Sequence, residues 1–288
     1  GQQGVEVACK TWLSGGRVVT NKKTWYAHMF RTQGGDFGFP YDNPGSEQEK
    51  VRQFSRDLWF NNKWDKAIYP LQWLIDKFNP PDWDVSKGVV YYTDNQIDRR
   101  ILGQCQEQLR YAFAGRKIVS VSLGPNDFGD EQINCPWERG PLTMFKQILE
   151  GLKRIDTDIV FLCEHDVLYH PSHFDFTPPK KDVYYYNQNV WIVRTTDGFA
   201  VTYDQKSLSG LCGYRDFLIK HFEARIKKIE SEGFSRKMGF EPGTHNRPER
   251  VDDFKAEGFR SAQPNADLKH GKNLTQARWR PEDFRSQK

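Results

Sequence analysis

The stretch "FLCEHDVLYH", residues 161 to 170, ends an apolar run on two carboxylates, Glu164 and Asp166, two positions apart. Strand side chains alternate faces, so this spacing puts both acids on one side and turns His165 away. Two oxygen donors at the mouth of a sheet suit a hard divalent cation, Mg2+ or Mn2+, able to hold a diphosphate in turn. The same acids could equally open a solvated turn. Asp94 and Asn95, in "YYTDN", end a second apolar run. There they could hydrogen-bond a base or ribose, or simply make a turn. His270, in "DLKHGKNLT", can complete a carboxylate site as a late metal donor, with a solvated surface histidine as the plainer alternative. Asp197 and Glu241 are candidates for the base that an inverting transfer to a hydroxyl would need. Glu241, His245 and Glu249 share the turn-rich "GFEPGTHNRPER", which reads as a polar surface loop or a lid.

Positioning these groups requires a sheet. "GVVYYTD" (88 to 94), "KIVSVSL" (117 to 123) and "DIVFLCEHD" (158 to 166) are strand-like. Between them Ile97, Ile101, Cys105 and Leu109 step at helical spacing, as do Met144, Phe145, Ile148, Leu149, Leu152 and Ile155. Strands alternating with helices imply parallel pairing. Further strands are expected in "DVYYYNQNVWIVRTTDGFAVTYD", then a long helix burying Tyr214, Phe217, Leu218, Phe222 and Ile226; the last fifty residues read as polar and irregular. Upstream, the first residues read as short strands, with Gly15 and Gly16 as a hairpin turn. Ser46 and Glu49 make a capping box for a helix bearing Val51, Phe54 and Leu58. Leu71, Leu74, Ile75 and Phe78 mark another helix, and "NPPDWD" closes it. The expected division is therefore residues 1 to 83 and 84 to 288.

With 37% hydrophobic, 14% aromatic and 28% charged residues over 288 positions, the chain is neither disordered nor fibrous. A net charge of +4 gives no argument for a nucleic-acid partner. Five cysteines without C-x-x-C spacing fit a reducing, cytoplasmic compartment. No apolar run is long enough for a membrane span. The opening "GQQGVEVACKTW" lacks Met and enters a folded pattern at once, as expected of a processed product or a piece of something longer.

In this order the elements resemble the GT-A fold of nucleotide-sugar glycosyltransferases: a strand ending in an Asp, a second strand, an apolar strand ending in an acidic motif, further strands, and a late His. The family's D-x-D motif stands here as Glu164-His165-Asp166. The resemblance implies a GT-A-like α/β domain, a mixed, mostly parallel sheet flanked by helices. It also implies Mn2+ or Mg2+ and a nucleoside-diphosphate sugar as donor, and a glycan, protein or modified nucleic acid as acceptor. Asp166, Glu164 and His270 would hold the metal, Asp94 and Asn95 the nucleoside, and Glu164 would work through water or on the sugar. A second stretch, residues 4 to 31, is similar to the end of the catalytic domain of polypeptide N-acetylgalactosaminyltransferases. Glu6, Lys10, Trp12, Gly15, Gly16, His28 and Arg31 follow that family's order. There the segment follows the metal motif rather than preceding it. This implies either the tail of an upstream domain or a permuted single site. The rivals are a nucleotidyltransferase, against which the absence of a glycine-rich basic loop after "YYTDN" counts, and a non-catalytic carbohydrate- or nucleic-acid-binding module.

Overall fold

The computed structural model describes residues 3–25, 45–78, 85–244 and 255–274. The chain divides into two compact units, Gly1–Asp84 and Val85–Lys288.

The first unit is helical: α1 (Gln3–Leu13), α2 (Gly45–Phe60) and α3 (Leu71–Phe78). Its core is Cys9, Leu13, Trp59, Leu71, Leu74 and Ile75. The strands expected at the start are thus a helix, because Val5, Cys9, Trp12 and Leu13 recur at helical spacing and bury one stripe. The glycine pair ends that helix rather than turning a hairpin. Gly16 N–H donates to Thr11 O (2.8 Å) and Gly15 N–H to Trp12 O (3.1 Å), with Gly15 at φ 83°, a Schellman stop that glycine makes without strain. Glu6 and Lys10 pair with each other at 3.0 Å, and Trp12 meets Phe78 edge-on at 5.0 Å. Ser46 lies within α2 instead of capping it, and Val51, Phe54 and Phe78 are exposed while Ser55 and Trp59 are buried.

The second unit runs β1 (Lys87–Thr93), α4 (Arg99–Ala112), β2 (Ile118–Ser122), β3 (Glu131–Asn134), α5 (Pro141–Arg154) and β4 (Ile159–Glu164). It continues through β5 (Val167–Leu168), β6 (Val183–Asn187), β7 (Val190–Arg194), β8 (Ala200–Val201), β9 (Leu211–Tyr214), α6 (Arg215–Glu232), β10 (Lys255–Phe259) and β11 (Asn265–Lys269). The main sheet has the order β10-β6-β9-β4-β1-β2-β3, and a smaller one the order β5-β11-β7-β8.

In the main sheet only β9 runs against its neighbours, β4 and β6. The sheet is therefore mixed and mostly parallel, with helices on both faces. Alternation explains the two-sided core. Val90, Tyr92, Val160 and Leu162 pack under Phe145, Ile148, Leu152, Leu218 and Phe222 of α5 and α6. Val89, Tyr91, Phe161 and Cys163 face Leu109 of α4, Phe113 just after it, and Phe174. Each such side chain contributes about 1.5–3 kcal/mol by leaving water. Residues 131–134 form the edge strand β3, and the tail expected to be irregular supplies β10 and β11. All five cysteines are free and buried. No helix among the described residues is long and apolar enough to cross a membrane.

Candidate functional site

Strands β1 and β4 are parallel neighbours with Tyr92 opposite Glu164, so the segments leaving their carboxyl ends emerge side by side. This is where open parallel sheets collect ligands. Strand β4 stops at Glu164, and residues 165–166 form a turn before β5. Alternation therefore ends one residue too soon to turn His165 away, and the expected geometry is corrected at that point. One ring nitrogen of His165, one of His270 and a carboxylate oxygen of Asp166 lie within 4.8 Å of one another. Glu164 is not in this group. Its Oε1 accepts a 2.5 Å hydrogen bond from Tyr92 OH, and its backbone N–H donates to Tyr169 OH at 3.0 Å.

Asp166 is buried. Its carbonyl accepts from Leu268 N–H at 2.8 Å, which seats β11 beside it, and its Oδ2 accepts from Asn273 Nδ2 at 2.5 Å. His270 Nε2 stands 3.7 Å from that same oxygen. Among the described residues, Asp166 Oδ1 and His270 Nε2 are both buried without a hydrogen-bond partner, while His270 Nδ1 accepts from Lys272 N–H at 3.3 Å. Native proteins seldom leave such groups orphaned unless a ligand takes them up. The two imidazoles and one carboxylate thus fit a divalent metal.

Charge at the site follows from burial and neighbours. Burial raises the Asp166 carboxyl, but His270, His165 and Lys269 outweigh it and hold it below its ordinary value. Burial, with Asp166 nearby, pushes Glu164 up to about 8. Burial lowers His165 despite the facing Asp166 and Asp94, leaving a neutral imidazole able to ligate. On β11, Lys269 Nζ lies 2.7 Å from Asp267 Oδ1. Burial alone would lower Lys269, yet Asp267, Asp166 and Glu164 hold it above the usual lysine range.

The nucleoside candidates flank this cluster. Asp94 Oδ1 accepts from Gln96 N–H at 2.9 Å, and Arg139 Nε donates to Asp94 Oδ2 at 2.5 Å. Arg139 also donates through Nη2 to Lys272 O at 2.5 Å, tying the end of β1 to the loop carrying His270. Asn95 takes a left-handed backbone, φ 58°, so the turn anticipated there is real. Gln147 of α5 donates to Thr93 O (2.9 Å) and Val121 O (3.1 Å), pinning the ends of β1 and β2.

The two base candidates are otherwise engaged. Asp197 is bound through both oxygens by Arg194 and caps its own turn, with Phe199 N–H donating to Oδ1 at 3.1 Å. The Arg194 guanidinium holds it down at about 2, a poor proton acceptor. Glu241 is buried, accepting from Arg225 Nη1 at 3.0 Å and Tyr186 OH at 2.8 Å. His28, Arg31, His245 and Glu249 lie outside the described residues. Sequence reasoning missed Arg139, Thr93, Asp267 and Lys269. The last two alternate with Ala266 and Leu268, a period of two that five residues, "NADLK", are too few to mark as a strand.

No family model matches the chain, and no curated protein does. Among solved structures, the mannosyltransferase PcManGT from Pyrobaculum calidifontis, in complex with GDP-Man and Mn2+, is similar at TM-score 0.37 and 11% identity, over 80% of this chain and 69% of that one. The Streptococcus pneumoniae glycosyltransferase GlyE gives 0.33 and 13%, over 60% and 45%. The bifunctional IspDF from Campylobacter jejuni gives 0.32 and 10%, over 61% and 50%. The chain spans about half the length of these last two proteins. Likenesses this distant say nothing of what the chain does. The chain's own strands make a mixed, mostly parallel sheet in which Asp94 follows β1, the acidic motif closes β4, a smaller sheet follows, and His270 returns to Asp166.

Proposed function

We propose that the chain is a metal-dependent glycosyltransferase acting on a nucleoside-diphosphate sugar. The observation that carries this is the pair of buried atoms Asp166 Oδ1 and His270 Nε2, without a hydrogen-bond partner among the described residues, at the carboxyl end of a mostly parallel sheet. A charge and an imidazole left open there are best explained by a cation between them. Such an ion, when bound, would neutralise the leaving diphosphate. Asp166 and His270 would hold it, and Asp94 and Asn95 at the neighbouring strand end would orient the nucleoside. Glu164, bonded to Tyr92 and weakly acidic, would stand behind Asp166 on the sugar side. Its raised pKa suits a group that donates a hydrogen bond at neutral pH. The acceptor is a glycan, a protein or a modified nucleic acid. A nucleotidyltransferase has less support, because "DNQIDRR" after β1 has no glycines to bend a loop around a triphosphate.

Calorimetry with Mn2+ and a panel of nucleoside diphosphates, with hydrolysis of the matching nucleotide sugars, tests the reading. Binding that requires the metal and favours one base is expected. Metal-independent binding of a glycan or nucleic acid, with no nucleotide bound, would instead make the chain a recognition module.

A further inference from the structure

We propose that His165, the residue between the two acids, is itself a metal donor and that Thr93 sets the tautomer that makes it one. This deepens, and rests on, the metal-dependent reading above. His165 Nδ1 lies 2.7 Å from Thr93 Oγ1 and 3.8 Å from Asp94 Oδ1. The Thr93 hydroxyl already accepts from Asn95 N–H at 2.9 Å, and Asn95 Oδ1, at 3.4 Å, is there to receive its proton. A hydroxyl with its proton directed to Asn95 accepts from His165, so the ring proton sits on Nδ1. The nearby Asp94 carboxylate favours the same placement. Nε2 then carries the lone pair, as in ligating histidines whose other nitrogen is held by a hydroxyl or carboxylate.

Asp166 supplies an oxygen that takes no hydrogen bond among the described residues; His270, whose Nδ1 accepts from Lys272 N–H at 3.3 Å, donates through Nε2 once its ring proton has moved to Nδ1 and that contact has opened. A set of two imidazoles and one carboxylate differs from a pair of acids in what it selects. Mg2+ demands oxygen ligands and dehydrates reluctantly, whereas Mn2+ and its first-row neighbours accept imidazole. The inferred preference is therefore Mn2+ over Mg2+.

Titration calorimetry with Mn2+ alone and Mg2+ alone, and pulsed EPR of the Mn2+ complex, test this on the full chain. Two bound imidazole nitrogens are expected in the parent and one in His165→Gln, with Mn2+ binding weakened at least tenfold and Mg2+ binding little changed. Thr93→Val should keep both nitrogens while weakening Mn2+ by about 10-fold, within the range for losing a ligand's supporting hydrogen bond, and Thr93→Ser should restore it. Two imidazoles retained in His165→Gln, or only one in the parent, overturn the proposal while leaving a metal-dependent enzyme. A Thr93→Val variant indistinguishable from the parent overturns the tautomer argument. If His165→Gln fails to fold, the parent's nitrogen count decides alone. No Mn2+ binding by the parent sinks both this inference and the functional reading beneath it.

Discussion

Asp166 carries its charge in a buried position, where His270, His165 and Lys269 outweigh the cost of burial and one oxygen takes no hydrogen bond among the described residues. Asp166→Asn removes the charge and keeps the shape. The metal-free protein is expected to fold but to lose about 1.5–3 kcal/mol, the worth of a hydrogen bond to a charged group, here the one from Asn273. The rise given by Mn2+ plus a nucleoside diphosphate, about 2.7 kcal/mol at a hundredfold excess over Kd, should vanish. Glu164→Gln should keep most of it, because Glu164 is bonded to Tyr92 rather than open to the metal. Equal losses in the two variants would make Glu164 a direct ligand. The sequence made Asp166 and His270 legible because they are charged or basic at a strand end and beside a turn. It hid His165, since a rule that holds inside a strand was applied one residue past its end.

At the scale of elements, the strands and helices of the central βαβ pattern could be read directly, because β1, β2 and β4 are apolar runs separated by single helical stripes. Strands β3 and β11 could not, because their half-exposed, polar residues follow a period of two over too few positions to stand out. Yet β11 carries the Asp267–Lys269 pair. Lys269→Met leaves Asp267, Asp166 and Glu164 without their shared cation, and losing one partner of a buried pair costs about 3–5 kcal/mol. The loss should be largest at pH 8 and shrink toward pH 5 as Glu164 and Asp267, both already raised, take up protons. Urea midpoints that fall equally at both pH values would show that the lysine is not the balancing charge. Helix α5 sits so close on the sheet that a Cβ at Gly151 would collide with Val90. Gly151→Ala should lower stability by about 1–3 kcal/mol, the usual cost of overpacking. A melt unchanged from the parent would mean that the helix can slide.

Two buried groups set opposite pH limits on the molecule as a whole. Burial drives His173 down to about 3 from 6.5, and its Nδ1 accepts from Asn187 Nδ2 at 2.9 Å, which a protonated ring could not do. The unfolded chain therefore binds the extra proton, and stability falls as pH drops from 6.5 toward 3. Glu164 behaves in reverse: the folded chain holds its proton longer, so stability falls as pH rises from 4.5 toward 8. Metal-free stability should therefore decline toward acid through His173 and toward alkali through Glu164. Urea midpoints in chelator, compared with Glu164→Gln, check this; the variant should soften the alkaline decline and leave the acid one as it is.

The place of β11 has a consequence for synthesis. Asp166 leaves the ribosome about a hundred residues before His270 does, and chains fold from the amino end as they emerge. A nascent chain that has formed β1, β2 and β4 still has an open, one-sided set of metal donors. On the proposed reading, ion capture would become possible only once β11 has docked beside β5 and β7, so a chain holding the metal would be one whose translation has passed residue 270.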